Sequence, residues 1–224
     1  MIDPLSIRLQ MVYDSIDRTK ASKGRVIDVG SDHGLLALSC LKNSITPYCI
    51  CTDIHKLPAE RTDKCLKGHN LSGSYEVYCT DGLVGIDLKP NDTVVMAGLG
   101  GNTIMSVMSE VISRTSKDII KEVDFVLQPQ KTSDELRVYL VSNGFSINSE
   151  TATIDRDLFY QLIMTSYTGE VTSLTPEEKY YGPVLLRSEK TEIKKFHDHL
   201  DEVYKLRSRG NPELRKVLEE RHVL

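Results

Sequence analysis

The chain contains no Cys-x-x-Cys pair, and nowhere does it hold the roughly 18 consecutive apolar residues that a membrane-crossing helix needs. Its opening, MIDPLSIRLQ, lacks the basic segment followed by an apolar run that marks a secretory leader. Both absences lead to the expectation of a cytoplasmic protein with no membrane partner. A surplus of positive charge is missing too. The 28 Lys and Arg against 32 Asp and Glu leave a net charge of −4, so no global field announces a nucleic-acid partner, although a local basic patch stays open. The five cysteines, Cys40, Cys49, Cys51, Cys65 and Cys79, are odd in number. No second ligand pair stands at zinc-site spacing, so Cys49 and Cys51 read as buried, reduced thiols and no metal is expected. The G-x-G-x-x-G dinucleotide fingerprint is also absent, which tells against an NAD-dependent enzyme.

What is present is ordinary globular texture: 40% hydrophobic and 27% charged residues, enough for a sizeable core in one large domain or a domain with an appendage. The most informative stretch is VIDVGSDHGLL, residues 26–36. Val26, Ile27 and Val29 suit a strand buried on both faces, and Gly30 lets the backbone turn where a side chain would block a ligand. In an open α/β sheet the carboxyl ends of the strands form the ligand crevice, so a cofactor is expected over the 28–34 turn. A nucleoside-bearing ligand without a pyrophosphate fits Gly30-x-x-x-Gly34, and S-adenosylmethionine (SAM) is the commonest of that kind. The same turn also suits a well-capped βα loop of another α/β protein.

Before this turn, Leu5, Leu9, Val12 and Ile16 recur at helical spacing over 4–16, with Asp3 and Pro4 as cap and first turn. Arg8, between the apolar positions, either is solvated or points toward the crevice. After it, strands are expected over 47–52, 75–79, 93–101 and 124–130, with helices over 35–42, 58–69, 102–113 and 134–143, the last capped by Ser133 and ended by Gly144. Asp53, about 20 positions after the glycine turn, is placed to accept both hydrogen bonds of a ribose diol, or else caps the next helix. Asp81 and Gly82 end the third strand, where a carboxylate accepts from an adenine amine, or where Asp-Gly simply turns the chain. Ala97, Gly98, Gly100 and Gly101 leave space for a second planar ligand, or let a neighbouring helix pack closely. Gln128 offers a donor and an acceptor to a base edge, and Pro129 stiffens its placement. Two further strands over 145–154 and 159–167, joined at Asp155, Arg156 and Asp157, complete the seven-stranded sheet usual in SAM methyltransferases.

Beyond Gly169 the texture changes. Residues 188–209 read as a long amphipathic helix with Ile193, Phe196, Leu200, Val203 and Leu206 near a heptad seam, and a last helix follows Asn211 and Pro212. The expected organisation is a Rossmann-like domain over 1–168 and a helical, coiled-coil hairpin over 169–224. The hairpin's outer face carries Lys190, Lys194, Lys195, Lys205, Arg207, Arg209, Arg215 and Lys216, among about as many acids, so a solvated face competes with an RNA-binding one. His197 and His199 are expected to meet solvent.

LSIRL at 5–9, VGSDHG at 29–34, DGL at 81–83, AGLGG at 97–101, LQPQ at 127–130 and YGPVLL at 181–186 fall in order over nearly the whole chain. Together they resemble the bacterial tRNA (adenine-22) N1-methyltransferases of the TrmK type. The chain departs from that family's usual pattern after GSDH, where 34–37 read GLLA, and after LQP, where Gln130 stands for the common Asn. The resemblance implies a Rossmann-like catalytic domain, a C-terminal coiled-coil hairpin, SAM as methyl donor with S-adenosyl-L-homocysteine as product, and tRNA as substrate.

Adenine N1 already carries an in-plane lone pair, so no strong base is required; N1, methyl carbon and sulfur must be aligned and water excluded. The expected cofactor set is Asp28, Gly30, Ser31, His33, Gly34, Asp53, Ile54, Asp81, Gly82, Ala97 and Gly98. Asp32 and His33 are expected to border the methyl group, Gly98, Gly100 and Gly101 to admit the adenine, and Gln128 with Pro129 to fix its edge. Arg8 and hairpin residues such as Lys194 and Arg207 would grip phosphates. A monomer is expected. Two rivals stand beside this reading: a methyltransferase for a small molecule or protein, which needs no basic hairpin, and a non-catalytic RNA-binding module, which would bind no SAM.

Overall fold

Seven strands form one sheet in the order β3-β2-β1-β4-β5-β7-β6 in the computed structural model, which describes residues 4–224. The parallel strands are β1 (Arg25–Val29), β2 (Tyr48–Asp53), β3 (Tyr75–Cys79), β4 (Thr93–Leu99) and β5 (Asp124–Pro129). Next to β5 lies antiparallel β7 (Leu158–Tyr167), followed by β6 (Phe145–Asp155). The helices are α1 (Ile7–Asp14), α2 (Arg18–Ala21), α3 (Leu35–Lys42), α4 (Lys56–Gly68), α5 (Gly101–Arg114), α6 (Lys117–Ile120) and α7 (Ser133–Ser142), then α8 (Pro176–Tyr181), α9 (Thr191–Arg207) and α10 (Pro212–Glu220).

Alternation along the strands builds a core on each face. Ile27, Val29, Ile50, Val94 and Met96 pack with α5 residues such as Ile104 and Met108, whereas Val26, Cys49, Cys51 and Val95 pack with α1 and α3. Burial on both sides is why the parallel strands read as nearly continuous apolar runs. Cys49 and Cys51 are buried on the same face, and burial holds both thiols well above the ordinary range, which suppresses the reactive thiolate. The β6–β7 connection is tighter than expected: Asp155 already pairs with Leu158, leaving Arg156 (φ 50°) and Asp157 (φ 63°) in the left-handed conformation of a two-residue hairpin turn.

Three local expectations are corrected. The first helix begins at Ile7, because the Ser6 side chain accepts from the Leu9 N–H at 3.2 Å and caps it; Asp3 lies outside the described residues. Ser133 lies inside α7, with Thr132 at the cap position. In α9 the buried stripe is Ile193, Phe196, Leu200 and Tyr204, and Val203 and Leu206 are exposed. Steps of three, four and four follow the 3.6-residue period, so the stripe drifts off a strict heptad and Tyr204 takes the inward place. The last helix, α10, is only nine residues long.

The C-terminal helices build a third core of Tyr180, Tyr181, Leu185, Phe196, Leu200, Tyr204 and Leu218 around Ala152 of β6. His197 is half-buried edge-on to Tyr181, and His199 stacks on Phe159 at 4.1 Å, so neither simply faces water. A fully buried ion pair ties this unit to the sheet. Arg137 of α7 donates through Nε to Glu150 Oε1 at 2.7 Å, through Nη2 to Gln161 Oε1 at 2.7 Å, and through Nη1 to the Lys179 and Tyr180 carbonyls. Glu150 Oε2 accepts from the Val184 and Leu185 N–H groups.

Candidate active site at the strand ends

The first turn is pinned to the neighbouring strand: the Gly30 and Ser31 N–H groups both donate to the Thr52 carbonyl, at 2.8 and 3.1 Å. This fixes the end of β1 beside the ends of β2 and β3. A cavity of about 260 Å³ opens there, lined by Gly30, Asp53, Ile54, Asp81 and Gly82, and also by His55, Thr80, Leu99, Thr103 and Val107. Thus five of the expected cofactor residues, drawn from three strand ends, share one hollow. Asp53 is 9% exposed and its Oδ1 accepts from the His55 N–H at 2.9 Å, so the carboxylate is oriented while Oδ2 has no donor among the described residues.

Asp28, two residues before Gly30, alternates with cavity-lining Val29 and so faces the opposite side of the sheet, and it is only 5% exposed. Among the described residues no hydrogen bond reaches its carboxyl group. Burial first, then the nearby Asp53 charge, pushes its pKa up to about 7, with Arg8 pulling the other way.

Beyond the cavity, β4 ends in a bulge between Ala97 and Leu99. Gly98 adopts φ +79°, which a side chain would strain, and aims its N–H at Gln128 Oε1 at 3.0 Å. The same oxygen accepts from Arg8 Nη1 at 3.0 Å. Arg8 therefore crosses from α1 to the ends of β4 and β5, its guanidinium 5.7 Å from the Tyr160 ring centre, and is not a solvated helix residue. A Cβ on Gly98 would lie 3.4 Å from Arg8 Nη1 and 3.6 Å from Gln130 Nε2. Those two side chains lie against the Gly98 backbone at ordinary contact distance, so the glycine forms a floor that they flank.

Two expectations change here. Gln128 is fully buried and its oxygen already accepts twice, so it holds Arg8 and Gly98 in place and does not meet a base edge directly. Gly101 is buried too, and a Cβ there would run into Thr132 Oγ1 at 2.4 Å and the Lys131 carbonyl at 2.7 Å. Its missing side chain lets the β5–α7 loop pack; a Cβ on Gly98 would touch Arg8 and Gln130, and a Cβ on the exposed Gly100 would meet nothing nearer than Thr103 Oγ1 at 3.9 Å. Pro129 is buried at the end of β5.

A family model described as "Methyltransferase domain" matches residues 5–163. The chain belongs to the methyltransferase-domain family. A Mycoplasma pneumoniae protein named "Putative tRNA methyltransferase" is 30% identical over 180 residues, 77% of this chain and 78% of that protein. A Streptococcus pneumoniae structure described as "a putative tRNA (m1A22) methyltransferase, in complex with S-adenosyl-L-methionine" superposes with a TM-score of 0.82 at 21% identity, covering 99% of this chain and 100% of that one. The B. subtilis m1A22 tRNA methyltransferase TrmK superposes with a TM-score of 0.78 at 20% identity, covering 98% and 97%. With the strand order, these likenesses establish the Rossmann-like methyltransferase fold.

Not all expected residues gather at the methyltransferase domain's cavity. Asp32, in the left-handed conformation at φ +45°, is exposed and pairs with Arg61 of α4 at 2.8 Å. His33 stands 3.4 Å from the same carboxylate and lines a separate open depression with Arg61, Lys64 and His69. The Ser31 hydroxyl lies 3.1 Å from that of Thr62, and Gly34 opens α3 at φ +68°. Asp32 and His33 thus lie on the α4 side, apart from Gln128 and Pro129. Lys194 pairs with Glu189 at 2.7 Å, and Arg207 with Asp134 at 3.0 Å. Sequence reasoning missed Thr103 and Val107, which face the cavity from the first two turns of α5, and Tyr160, whose place three residues past the hairpin turn was the available signal.

Proposed function

We propose that this chain transfers a methyl group from SAM to N1 of an adenine in tRNA, at position 22 by likeness to its relatives. The carrying observation is the meeting of Gly30, Asp53, Ile54, Asp81 and Gly82 in one cavity, next to a glycine floor flanked by Arg8 and Gln130. The name of the Mycoplasma pneumoniae relative and the SAM bound in the Streptococcus pneumoniae neighbour support the substrate and the donor. The residues fit the cofactor: oriented Asp53 suits a ribose diol, and Asp81 with the Gly82 backbone suits the adenine edge.

When bound, the cofactor supplies an electrophilic methyl group on a sulfonium. The chain's own work is placement, since adenine N1 needs no base. Gln128 fixes Arg8 and the Gly98 N–H at the floor, and buried Pro129 closes it against water. A stacked or paired adenine must first be extruded at a cost of a few kcal/mol, which contacts to phosphates offset. Residues 1–168 form the catalytic domain in this reading, and 169–224 a unit that holds tRNA; a cytoplasmic monomer belongs to the same proposal. No helix among the described residues is long and apolar enough to cross a membrane. Incubating tRNA transcripts with SAM and mapping reverse-transcription stops tests the reading. A single new stop at the target adenine is expected, whereas SAM binding without methyl incorporation into tRNA would overturn it.

Two outcomes follow from the floor and from Asp28. Arg8→Ala should lower methyl transfer to tRNA by about 10- to 100-fold, the loss typical of one charged hydrogen bond, while calorimetry finds SAM affinity nearly intact. Equal loss of both would make Arg8 structural. Because the Asp28 pKa is raised to about 7, the native state without ligand holds its proton more tightly than the unfolded chain does. Its contribution to stability is therefore present in acid and is lost as pH rises toward 7. Urea titrations of the ligand-free protein should therefore show its unfolding free energy falling between about pH 4 and pH 7 relative to Asp28→Asn. Parallel pH profiles for the two proteins would contradict this.

A further inference from the structure

A second cavity, of about 640 Å³, lies between the start of β7, the β5–α7 loop and α9. Gln130, whose Nε2 lies 3.6 Å from where a Cβ of Gly98 would stand, also lines this groove, so the groove begins beside the end of β4. No Asp or Glu is among the residues lining it, in a chain whose acids outnumber its bases 32 to 28. Lys131 and Arg207 line it instead. Arg207 is paired with Asp134 just outside, yet its side chain remains 44% exposed. The wall carries a flat platform, the Phe159 ring stacked on the His199 ring at 4.1 Å and 9°. Val203 of α9 lines the same groove and is 37% exposed, an apolar residue that packing within the chain leaves uncovered.

We propose that this groove seats the unpaired nucleotides next to the reacting adenine, which rests on the tRNA reading above. Bases stack on the Phe159–His199 platform and pack against Val203, while Lys131 and Arg207 meet the flanking phosphates. Aromatic faces beside cations, without carboxylates, are what a single strand selects regardless of sequence. A volume of this size lies within the range of small-ligand sites, so an extruded nucleotide does not need the fold to open.

The test uses the full chain and a fluorescently labelled tRNA transcript. Val203→Trp fills the groove from an exposed position, and Lys131→Glu reverses its charge. Both variants should bind tRNA at least about tenfold more weakly in anisotropy titrations and lose a similar factor in kcat/KM, with SAM affinity and melting temperature unchanged. A benzophenone side chain placed at position 203 should crosslink to nucleotides adjoining the methylated adenine. Variants that bind tRNA as the parent does, crosslinks scattered along the tRNA, or a parent that does not bind tRNA would each overturn the groove. A parent that methylates tRNA while the variants keep its affinity sinks the groove alone. A parent that binds tRNA through the groove without methylating it sinks only the methylation reading.

Discussion

Glu150→Ala should lower the free energy of unfolding by about 3–5 kcal/mol, a fall in melting temperature on the order of 10 °C. The carboxylate and its partner Arg137 both have fully buried side chains. Removing one leaves a guanidinium without its counter-charge in a low-dielectric interior, together with two N–H groups, of Val184 and Leu185, that lose their acceptor. Breaking such a pair costs far more than the pair contributes over an apolar replacement of equal volume. Combining Arg137→Met with Glu150→Leu should recover the part of the loss that comes from the uncompensated charge, but not the part from the unpaired Val184 and Leu185 N–H groups. Urea titration of the three proteins checks this. A loss below about 1 kcal/mol for Glu150→Ala would mean that water reaches the pair. The ion pair joins α7 to β6 and the turn after α8, so the single variant should also loosen the α9 wall of the groove.

Asp53→Ala should weaken SAM binding by roughly 100-fold, as expected for losing two hydrogen bonds to one carboxylate, with little change in stability. Asp53 is held by the His55 N–H at the end of β2 and opens on the cavity, so its second oxygen is available to a ligand. Asp53→Asn keeps the shape and one acceptor and should fall between the two. A reduction below about threefold for Asp53→Ala would return the residue to the role of a helix cap. Calorimetry with SAM, alongside thermal melting, separates the two roles.

The sheet is legible in sequence because its parallel strands are buried on both faces, and apolar runs such as Val26–Val29 and Val94–Met96 have no other comfortable place. Asp53 and Asp81 are legible because topology alone puts strand ends together. Contacts over large sequence separation are not. Nothing local in LSIRL tells that Arg8 reaches Gln128, 120 positions away, or that this amide is thereby committed. Gly101 shows the limit of reading a glycine: space for a ligand and space for the Lys131–Thr132 backbone leave the same mark. In α9 the difference between Val203 and Tyr204 as the inward residue is one step of a periodic pattern, and only packing against Tyr180 and Tyr181 decides it.

The most direct measurement is a crystal structure of the chain with S-adenosyl-L-homocysteine. The ribose hydroxyls should lie on Asp53, the adenine between Ile54 and Gly82 with its amine on Asp81, and the sulfur at the Gly98 floor beside Arg8. Finding the ligand outside the cavity at the ends of β1, β2 and β3, or inside it with the sulfur turned away from Gly98, would contradict the assignment.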